Sequence, residues 1–172
     1  YAHTPDALES ILKSINDIDE KLDFNKKYVL EKFLKFKQEI SVAVTRFKDG
    51  KISIFEPSEN KHEQGIRRES KIPANINKSV FKNSHDIAIK FAKKLNYVGT
   101  LNIEFMIDQK EDLYFLEWCN RCHNGMWHTV NSYEICQFTN HIRAICGLGF
   151  VENKKISNAT MTNILGDEIK EY

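Results

Sequence analysis

The sequence lacks the features that would place the protein in a membrane or on nucleic acid. No apolar run approaches the length of about 18 residues that a membrane-spanning helix needs, and the first residues, YAHTPDALES, do not have the pattern of a signal peptide. The charge is nearly balanced, with 25 basic and 24 acidic residues, and no basic stripe indicates nucleic-acid binding. We therefore expect a cytoplasmic protein. The first residue is not methionine, which is compatible with a piece of a longer protein.

Cysteine is scarce, with 4 residues among 172, and no export signal accompanies it, so we predict free thiols in a reducing compartment. Two of the cysteines belong to the pattern Cys119-x-x-Cys122-His123, which matches the c-type haem attachment signature. The same residues, with His128, resemble a zinc site. Haem attachment needs an exported protein, and a redox dithiol is typical of a helix N-terminus rather than the end of a strand. We therefore interpret the spacing as accidental.

A predicted β-hairpin places two carboxylates opposite each other. Residues 100–108 (TLNIEFMID) and 113–119 (LYFLEWC) alternate with a period of two, and the polar run 109–112 (QKED) indicates the turn. With the turn centred on residues 110–111, one face of the hairpin is wholly apolar, and Glu104 lies opposite Glu117 on the other. The expected apolar pairs are Ile103–Trp118, Phe105–Leu116 and Ile107–Tyr114.

This carboxylate pair predicts a cation site. Like charges directly opposite each other across two strands destabilise a sheet by about 0.2–1 kcal/mol, and a cation between Glu104 and Glu117 would remove that cost. Mg²⁺ fits best, because it prefers oxygen ligands and is usually held by one or two carboxylates plus substrate phosphates. A solvated surface pair, or a register that differs by two residues, is the alternative that the hairpin leaves open.

The remaining pattern predicts a mixed α and β chain. A helix is expected after Thr4 and Pro5, with an apolar stripe at Leu8, Ile11, Leu12 and Ile15. Further helices are expected at 78–95 and near 133–146, the latter ended by Gly147. The predicted strands are 28–34, 39–47, 51–56 and 159–165, with a hairpin turn at Asp49-Gly50. The polar stretches 57–74 and 120–132 are expected to be irregular.

Several segments, in order, resemble the 5-(carboxyamino)imidazole ribonucleotide synthases, which are ATP-grasp enzymes of purine biosynthesis. They are EKFLKFKQEISV, ENKHEQGI, IPANIN, VGTLNIEF, LEWCNRCHN, CQFTNHIRAICGL and MTNILGDE. The resemblance implies an α+β fold, an ATP-grasp C-terminal subdomain in which helices back an antiparallel sheet. Residues 1–150 would be the C-terminal part of the ATP-grasp domain, and 151–172 a small extension that starts the family's C-terminal domain.

The resemblance also implies a ligase reaction. ATP phosphorylates bicarbonate to carboxyphosphate, the exocyclic amine of aminoimidazole ribonucleotide takes up the carboxyl group, and ADP and phosphate leave. The implied cofactors are ATP and Mg²⁺, whose role in phosphoryl transfer is positioning and charge neutralisation. A homodimer is implied as the assembly, and the preceding half of such an enzyme would be needed to complete the site.

The family's site residues match positions of this chain. Glu31, Lys32, Phe33 and Leu34 match the segment that lines the adenine pocket, Glu39 the acid that holds the ribose hydroxyls, and His62 a histidine on the nucleotide side. Glu104 and Glu117 match the two magnesium ligands. Arg121, His123 and Asn124 match the substrate motif that follows the second ligand.

The chain departs from the family at Leu116, where the family has Asn beside the nucleotide and metal. The family pattern after the second ligand reads roughly I-A-P-R-P-H-N-S-G-H-W-T, whereas residues 118–129 read W-C-N-R-C-H-N-G-M-W-H-T and lack its two φ-restricting prolines. Tyr1 falls near the family's glycine-rich loop, Y-D-G-K-G-Q, but no glycine precedes Gly50.

Three functions are therefore compatible with the sequence. The first is the metal and adenine part of a carboxylating ligase, inactive without a missing N-terminal half. The second is a non-catalytic nucleotide-binding or interaction module, which Leu116 and the absent glycine loop favour. The third is a metal-thiolate or redox module built on Cys119, Cys122, His123 and His128.

Overall fold

The computed structural model describes residues 31–171 together with Asp6, residues 9–11 and Lys13. The chain divides into two units, Tyr1–Lys35 and Phe36–Tyr172. In the first unit the described residues between Asp6 and Lys13 are helical, as predicted, while Thr4, Pro5, Leu8, Leu12 and Ile15 lie outside the described residues. The strand predicted for 28–34 is wrong at 31–34, which belong to no helix or strand, and 28–30 lie outside the described part.

The second unit is built on one antiparallel sheet of seven strands. Its strands are β1 (Phe36–Arg46), β2 (Ile52–Ile54), β3 (Ser58–Glu63), β4 (Ile66–Ile72), β5 (Gly99–Asp108), β6 (Leu113–Cys119) and β7 (Ala159–Thr162). The order across the sheet is β6-β5-β1-β3-β4-β7, and β2 pairs with β1 beside this path. The helices are α1 (Lys78–Lys94), α2 (Thr129–Ser132) and α3 (Gln137–Ile145). An α+β fold with an antiparallel sheet and helices is thus confirmed.

One face of the central strands forms the main apolar core. Alternation along β1 and β5 directs Ile40, Val42, Val44 and the odd-numbered residues of 101–107 to this face, where Val80, Ala88 and Ala92 of α1 cover them. Asn77 caps the N-terminus of this helix, because its Oδ1 accepts a hydrogen bond of 2.8 Å from the backbone N–H of Val80. Burial of this apolar face fixes the register of the strands, so the opposite, polar face is equally fixed.

The β5–β6 hairpin has a bulge that the sequence did not predict. Glu104 pairs with Glu117 and Ile103 with Trp118 as expected, but Phe105 pairs with Phe115 and Ile107 with Leu113. Leu116 is the extra residue: Glu104 and Phe105 are adjacent on β5, but their partners on β6, Glu117 and Phe115, have Leu116 between them. The predicted pairs Phe105–Leu116 and Ile107–Tyr114 are therefore wrong.

The polar stretch 57–74 is not irregular but contains a second hairpin, β3–β4. Strand β3 ends at Glu63 and β4 begins at Ile66. Gln64 and Gly65 between them therefore make a two-residue turn, with φ of 52° and 78° respectively. Two positive φ values are typical of a type I′ turn. Arg68 is an extra residue here, since Lys61 pairs with Glu69 but His62 pairs with Arg67.

The segments after β6 differ in detail from the prediction. Helix α3 begins at Gln137 rather than near 133, and residues 120–132 include a 3₁₀ turn and α2. The predicted end at Gly147 is confirmed: this residue has φ of 70°, and the Leu148 N–H donates to the carbonyl of Arg143 at 2.8 Å. The last strand stops at Thr162 rather than at 165. Among the described residues, no helix has the length and apolarity to cross a membrane.

Candidate functional site

Glu104 lies at the centre of the polar face, on β5, and only 6% of it is exposed. Its Oε1 accepts a hydrogen bond of 3.0 Å from the Ser41 hydroxyl and forms an ion pair with the guanidinium of Arg67. The Nδ1 of His123 lies 3.2 Å from the same oxygen. A buried carboxylate needs donors such as the Ser41 hydroxyl and the Arg67 guanidinium, because the cost of losing water is otherwise prohibitive.

A line of hydrogen bonds joins the strands beneath this carboxylate. The Ser70 hydroxyl donates to Oδ1 of Asn60 at 2.9 Å, and the Asn60 amide donates to the Ser41 hydroxyl at 2.7 Å. These buried residues lie on β4, β3 and β1, so each strand contributes one polar side chain. The network explains why polar residues occupy positions at which a sheet normally buries apolar ones.

Arg67 is the main site residue that sequence reasoning missed. It is 5% exposed, and its guanidinium donates to Oδ1 of Asn124 at 2.7 Å while contacting Glu104 and Nδ1 of His123. The backbone at Gly125 passes so close that an added Cβ would lie 2.7 Å from Nη1 of Arg67 and 2.8 Å from the Ser41 hydroxyl. A side chain at 125 would therefore displace the Arg67 guanidinium and the Ser41 hydroxyl from their present positions.

Glu117 completes the carboxylate pair from the edge strand β6, where it is exposed. One ligand atom from each of Glu104, Glu117 and His123 lies within 4.8 Å of the others. The predicted face-to-face arrangement of the two carboxylates is confirmed by the pairing of their strands. The bulge places Leu116, which is exposed, directly before this site.

His123 is a neutral hydrogen-bonding group in this arrangement. Its Nδ1 receives hydrogen bonds from the Gly125 N–H at 3.4 Å and from Arg67 at 3.2 Å, so the pattern assigns the proton to Nε2. Burial lowers the pKa of His123, with the positive charge of Arg67 adding to the effect against the opposing charge of Glu104. The neutral ring leaves Nε2–H as a donor.

Glu39 and His62 lie together on the same face, on β1 and β3. Nδ1 of the His62 ring contacts the Glu39 carboxylate, and both side chains are half-buried. Burial raises the pKa of Glu39, and the Glu104 carboxylate adds to the rise, while His62 and Arg67 oppose it. The two residues that the resemblance assigned to the nucleotide therefore contact each other, and the charge of Glu104 is close enough to affect the pKa of Glu39.

The segment that carries His123 is held through its backbone. The Tyr97 hydroxyl donates to the carbonyl of Asn120 at 2.7 Å, and the Asn102 amide donates to the carbonyl of Arg121 at 3.0 Å. The buried Gln137 side chain donates to the carbonyl of His123 at 2.7 Å and accepts from its N–H at 3.0 Å. These anchors come from a loop, a strand and a helix that are distant in sequence from this segment, so periodicity within one element cannot indicate them.

The other predicted residues are placed as follows. Asn124 joins the site through Arg67, whereas Arg121 is exposed and its guanidinium donates to the carbonyl of Cys122 at 2.9 Å. Glu31, Lys32 and Phe33 are exposed and Leu34 is half-buried, all in the first unit. The functional roles assigned to these residues stay predictions.

The thiols do not form a metal centre with the histidines. All four cysteines are free, as predicted. Within the described part of the chain, the metal-competent group comprises Glu104, Glu117 and His123 and includes neither Cys119 nor Cys122. Burial, with the neighbouring Cys136 thiol as a lesser cause, raises the pKa of Cys122 to about 11, which disfavours the thiolate that metals and disulfides need. The proposed grouping of Cys119, Cys122, His123 and His128 is therefore wrong.

Comparison with known proteins points to one group of enzymes. Residues 8–138 match the model of the ATP-grasp domain. N5-carboxyaminoimidazole ribonucleotide synthase of Bacillus subtilis is 38% identical over 142 residues, which cover 83% of this chain and 37% of that protein. The enzyme of the same name from Brucella melitensis is 35% identical over 143 residues, covering 83% of this chain and 40% of that protein.

Solved structures that resemble this chain are of enzymes from the same group. The ADP complex of an N5-carboxyaminoimidazole ribonucleotide synthetase has a TM-score of 0.79 and 36% identity, and the match covers 81% of this chain and 37% of that one. The synthase of Aspergillus clavatus in complex with ADP and 5-aminoimidazole ribonucleotide has a TM-score of 0.76 and 26% identity, covering 88% and 42%. The chain thus spans about two-fifths of the length of the curated relatives it matches.

Proposed function

The chain belongs to the ATP-grasp family, and we propose that it is the nucleotide- and metal-binding part of an N5-carboxyaminoimidazole ribonucleotide synthase. The reaction would be the ATP-dependent carboxylation of 5-aminoimidazole ribonucleotide by bicarbonate, in purine biosynthesis in the cytoplasm. The observation that carries the proposal is the pair Glu104 and Glu117, which face each other within ligand distance beside His123. Residues 1–150 would belong to the ATP-grasp domain, and 151–172 would begin the next one.

The donor set fits Mg²⁺. Two carboxylates supply oxygen ligands, and the three contacts that Glu104 makes converge on Oε1, with none to Oε2 among the described residues. Glu117 has no cation partner in the same part of the chain, so its charge is available. When bound, Mg²⁺ would neutralise phosphate oxygens and the charge that develops during phosphoryl transfer.

The chain's own residues would prepare the substrates. Glu39 can accept two hydrogen bonds, which suits the ribose hydroxyls of a nucleotide. Asn124 uses its Oδ1 to accept from Arg67, so its two N–H donors are left for an oxyanion such as bicarbonate. The neutral His123 offers Nε2–H as a further donor. Both donors are held in place, and fixed donors stabilise developing negative charge without reorganisation.

Carboxylation itself would need more than this chain, because the relatives are more than twice as long as their matched regions. We propose that the remaining length supplies the glycine-rich loop and the other contacts to the ribonucleotide, and that the assembly is a homodimer. A second candidate is a nucleotide-binding module without catalysis. Leu116 favours it, since an exposed leucine beside Glu117 cannot make the polar contact of the family's Asn.

Calorimetric titration of ADP into the purified chain, with and without Mg²⁺, tests the proposal. We expect binding that requires Mg²⁺ and that weakens at least about ten-fold in Glu117→Gln, since one ligand is lost. Glu152→Gln, which removes an exposed carboxylate outside the site, is the matched control and should bind as the wild type does. Equal ADP binding with and without Mg²⁺, or no binding at all, would contradict the metal–nucleotide assignment.

A further inference from the structure

Arg67 gives the carboxylate site a permanent positive charge of its own. Its guanidinium is buried against Glu104, although β3 and β1 lie between their strands in the sheet. Arginine stays protonated at any accessible pH, so the charge is constant. Of the two acidic side chains that face each other, one is therefore already neutralised by the protein.

The guanidinium is also fixed in position. It donates to Asn124 at 2.7 Å, contacts His123, and is packed against the backbone at Gly125. The bulge in β4 produces this placement. Strict alternation from Ser70, which lies on the polar face, would put Arg68 on that face; the extra residue puts Arg67 there instead. Arg68 forms an ion pair with Glu168 at 2.6 Å.

The charge arrangement has a consequence for an incoming cation. The Arg67 guanidinium and the Ser41 hydroxyl both donate to Oε1 of Glu104, so this oxygen already accepts two hydrogen bonds, and a fixed positive charge stands next to the metal ligands. A divalent ion would be repelled by that charge, and the repulsion is strong where water is excluded. The net charge open to the ion is mainly that of Glu117, which is exposed and screened by water.

We propose, on the basis of the function proposed above, that Arg67 is a built-in counter-ion which makes this site select a metal–nucleotide complex over the free metal ion. Glu104 and Glu117 alone bind a free divalent ion weakly, because Arg67 offsets one of their two negative charges. The phosphates of a nucleotide restore the missing negative charge and the missing oxygen ligands, so the metal binds together with them. Arg67 is thus a positioning and specificity residue that acts through Glu104.

The test measures free Mn²⁺ by electron paramagnetic resonance as it is titrated into the chain without nucleotide. Wild type should bind Mn²⁺ weakly, and at least about ten-fold more tightly when ADP is present, after subtraction of the Mn²⁺ that ADP chelates in a titration without protein. Arg67→Gln, which keeps amide donors but removes the charge, should bind Mn²⁺ without nucleotide at least about ten-fold more tightly than wild type. Arg68→Gln removes an adjacent guanidinium outside the site and should match wild type. A purely structural role for Arg67 would lower Mn²⁺ affinity instead.

Two results would overturn the proposal. One is a folded Arg67→Gln chain, verified by circular dichroism, with unchanged or weaker Mn²⁺ binding. The other is wild-type binding of free Mn²⁺ as tight as in the presence of ADP, which needs no variant and so decides the matter even if Arg67→Gln does not fold. Failure of the proposed function has a different signature, since the wild type would then bind no ADP with Mg²⁺.

Discussion

Gln137 shows how a single buried residue can hold a site that it does not enter. Its side-chain amide pairs with both the N–H and the carbonyl of His123, as a neighbouring strand would. We expect Gln137→Leu to lower the free energy of unfolding by about 1–3 kcal/mol for each backbone group left unpaired. Urea unfolding followed by circular dichroism measures this change.

The matched control for Gln137→Leu is Gln109→Leu, at an exposed position of the β5–β6 turn, which should change the free energy of unfolding little. The Gln137 variant should also weaken binding of Mg²⁺–ADP, because His123 is no longer held against Glu104. Equal stability of the two variants would show that water or a shift of the backbone replaces the amide.

At the scale of elements, the β3–β4 hairpin contains a turn residue that is not optimal. Gln64 has φ of 52°, a left-handed conformation in which a long side chain is disfavoured and Asn is tolerated best after Gly. We expect Gln64→Asn to raise the free energy of unfolding by about 0.5–1 kcal/mol. Gln64→Val, with a β-branched side chain, should lower it, and thermal unfolding compares the three chains. A lower melting temperature for the Asn variant would contradict the turn assignment.

The same hairpin shows which strands the sequence pattern does not predict. Its turn is Gln-Gly rather than Asn-Gly, and its strands carry polar side chains toward the site, so neither turn nor periodicity indicated strands. By contrast, β1, β5 and α1 were predicted because their apolar faces follow the periods of strand and helix. Evolution of a polar site on a sheet removes the hydrophobic signal that would identify the strands.

The two bulges explain most of the errors at the site. A bulge shifts the alternation of side chains by one residue and arises from pairing between strands, which one strand's pattern does not contain. The pairing of Glu104 with Glu117 was nevertheless predicted correctly, because Leu116 lies between the turn and this pair. This extra residue offsets the one-residue error next to the turn, where Ile107 pairs with Leu113 rather than with Tyr114. Arg67 was missed because the bulge in β4 places it on the polar face, and Gln137 and Gly125 were missed because their partners are distant in sequence.

At the scale of the whole molecule, buried histidines make stability depend on pH. Burial lowers the pKa of His128 to about 4, and burial also lowers the pKa values of His85 and His141. In the unfolded chain these groups keep an ordinary pKa of about 6.5 and bind protons that the folded chain excludes. Stability from His128 is therefore full above pH of about 6.5 and is lost as the pH falls towards 4.

We expect His128 alone to account for a loss of about 3 kcal/mol in the free energy of unfolding across that range. Glu39, whose pKa is raised, acts in the opposite direction. Urea unfolding at a series of pH values measures the slope of the free energy of unfolding against pH. His128→Gln, which can still hydrogen-bond Ser132, should make this slope smaller. A slope that is the same in both chains would show that His128 is not the group responsible.

The backbone anchoring of residues 120–123 bears on how this segment can change over generations. Tyr97, Asn102 and Gln137 hold this segment through its peptide groups, which every residue type provides. Mutations at Cys119, Asn120, Arg121 and Cys122 therefore alter side chains without displacing the histidine that follows. Such tolerance would allow neutral drift to produce pairs such as Cys119 and Cys122, which is compatible with the interpretation of their spacing as accidental.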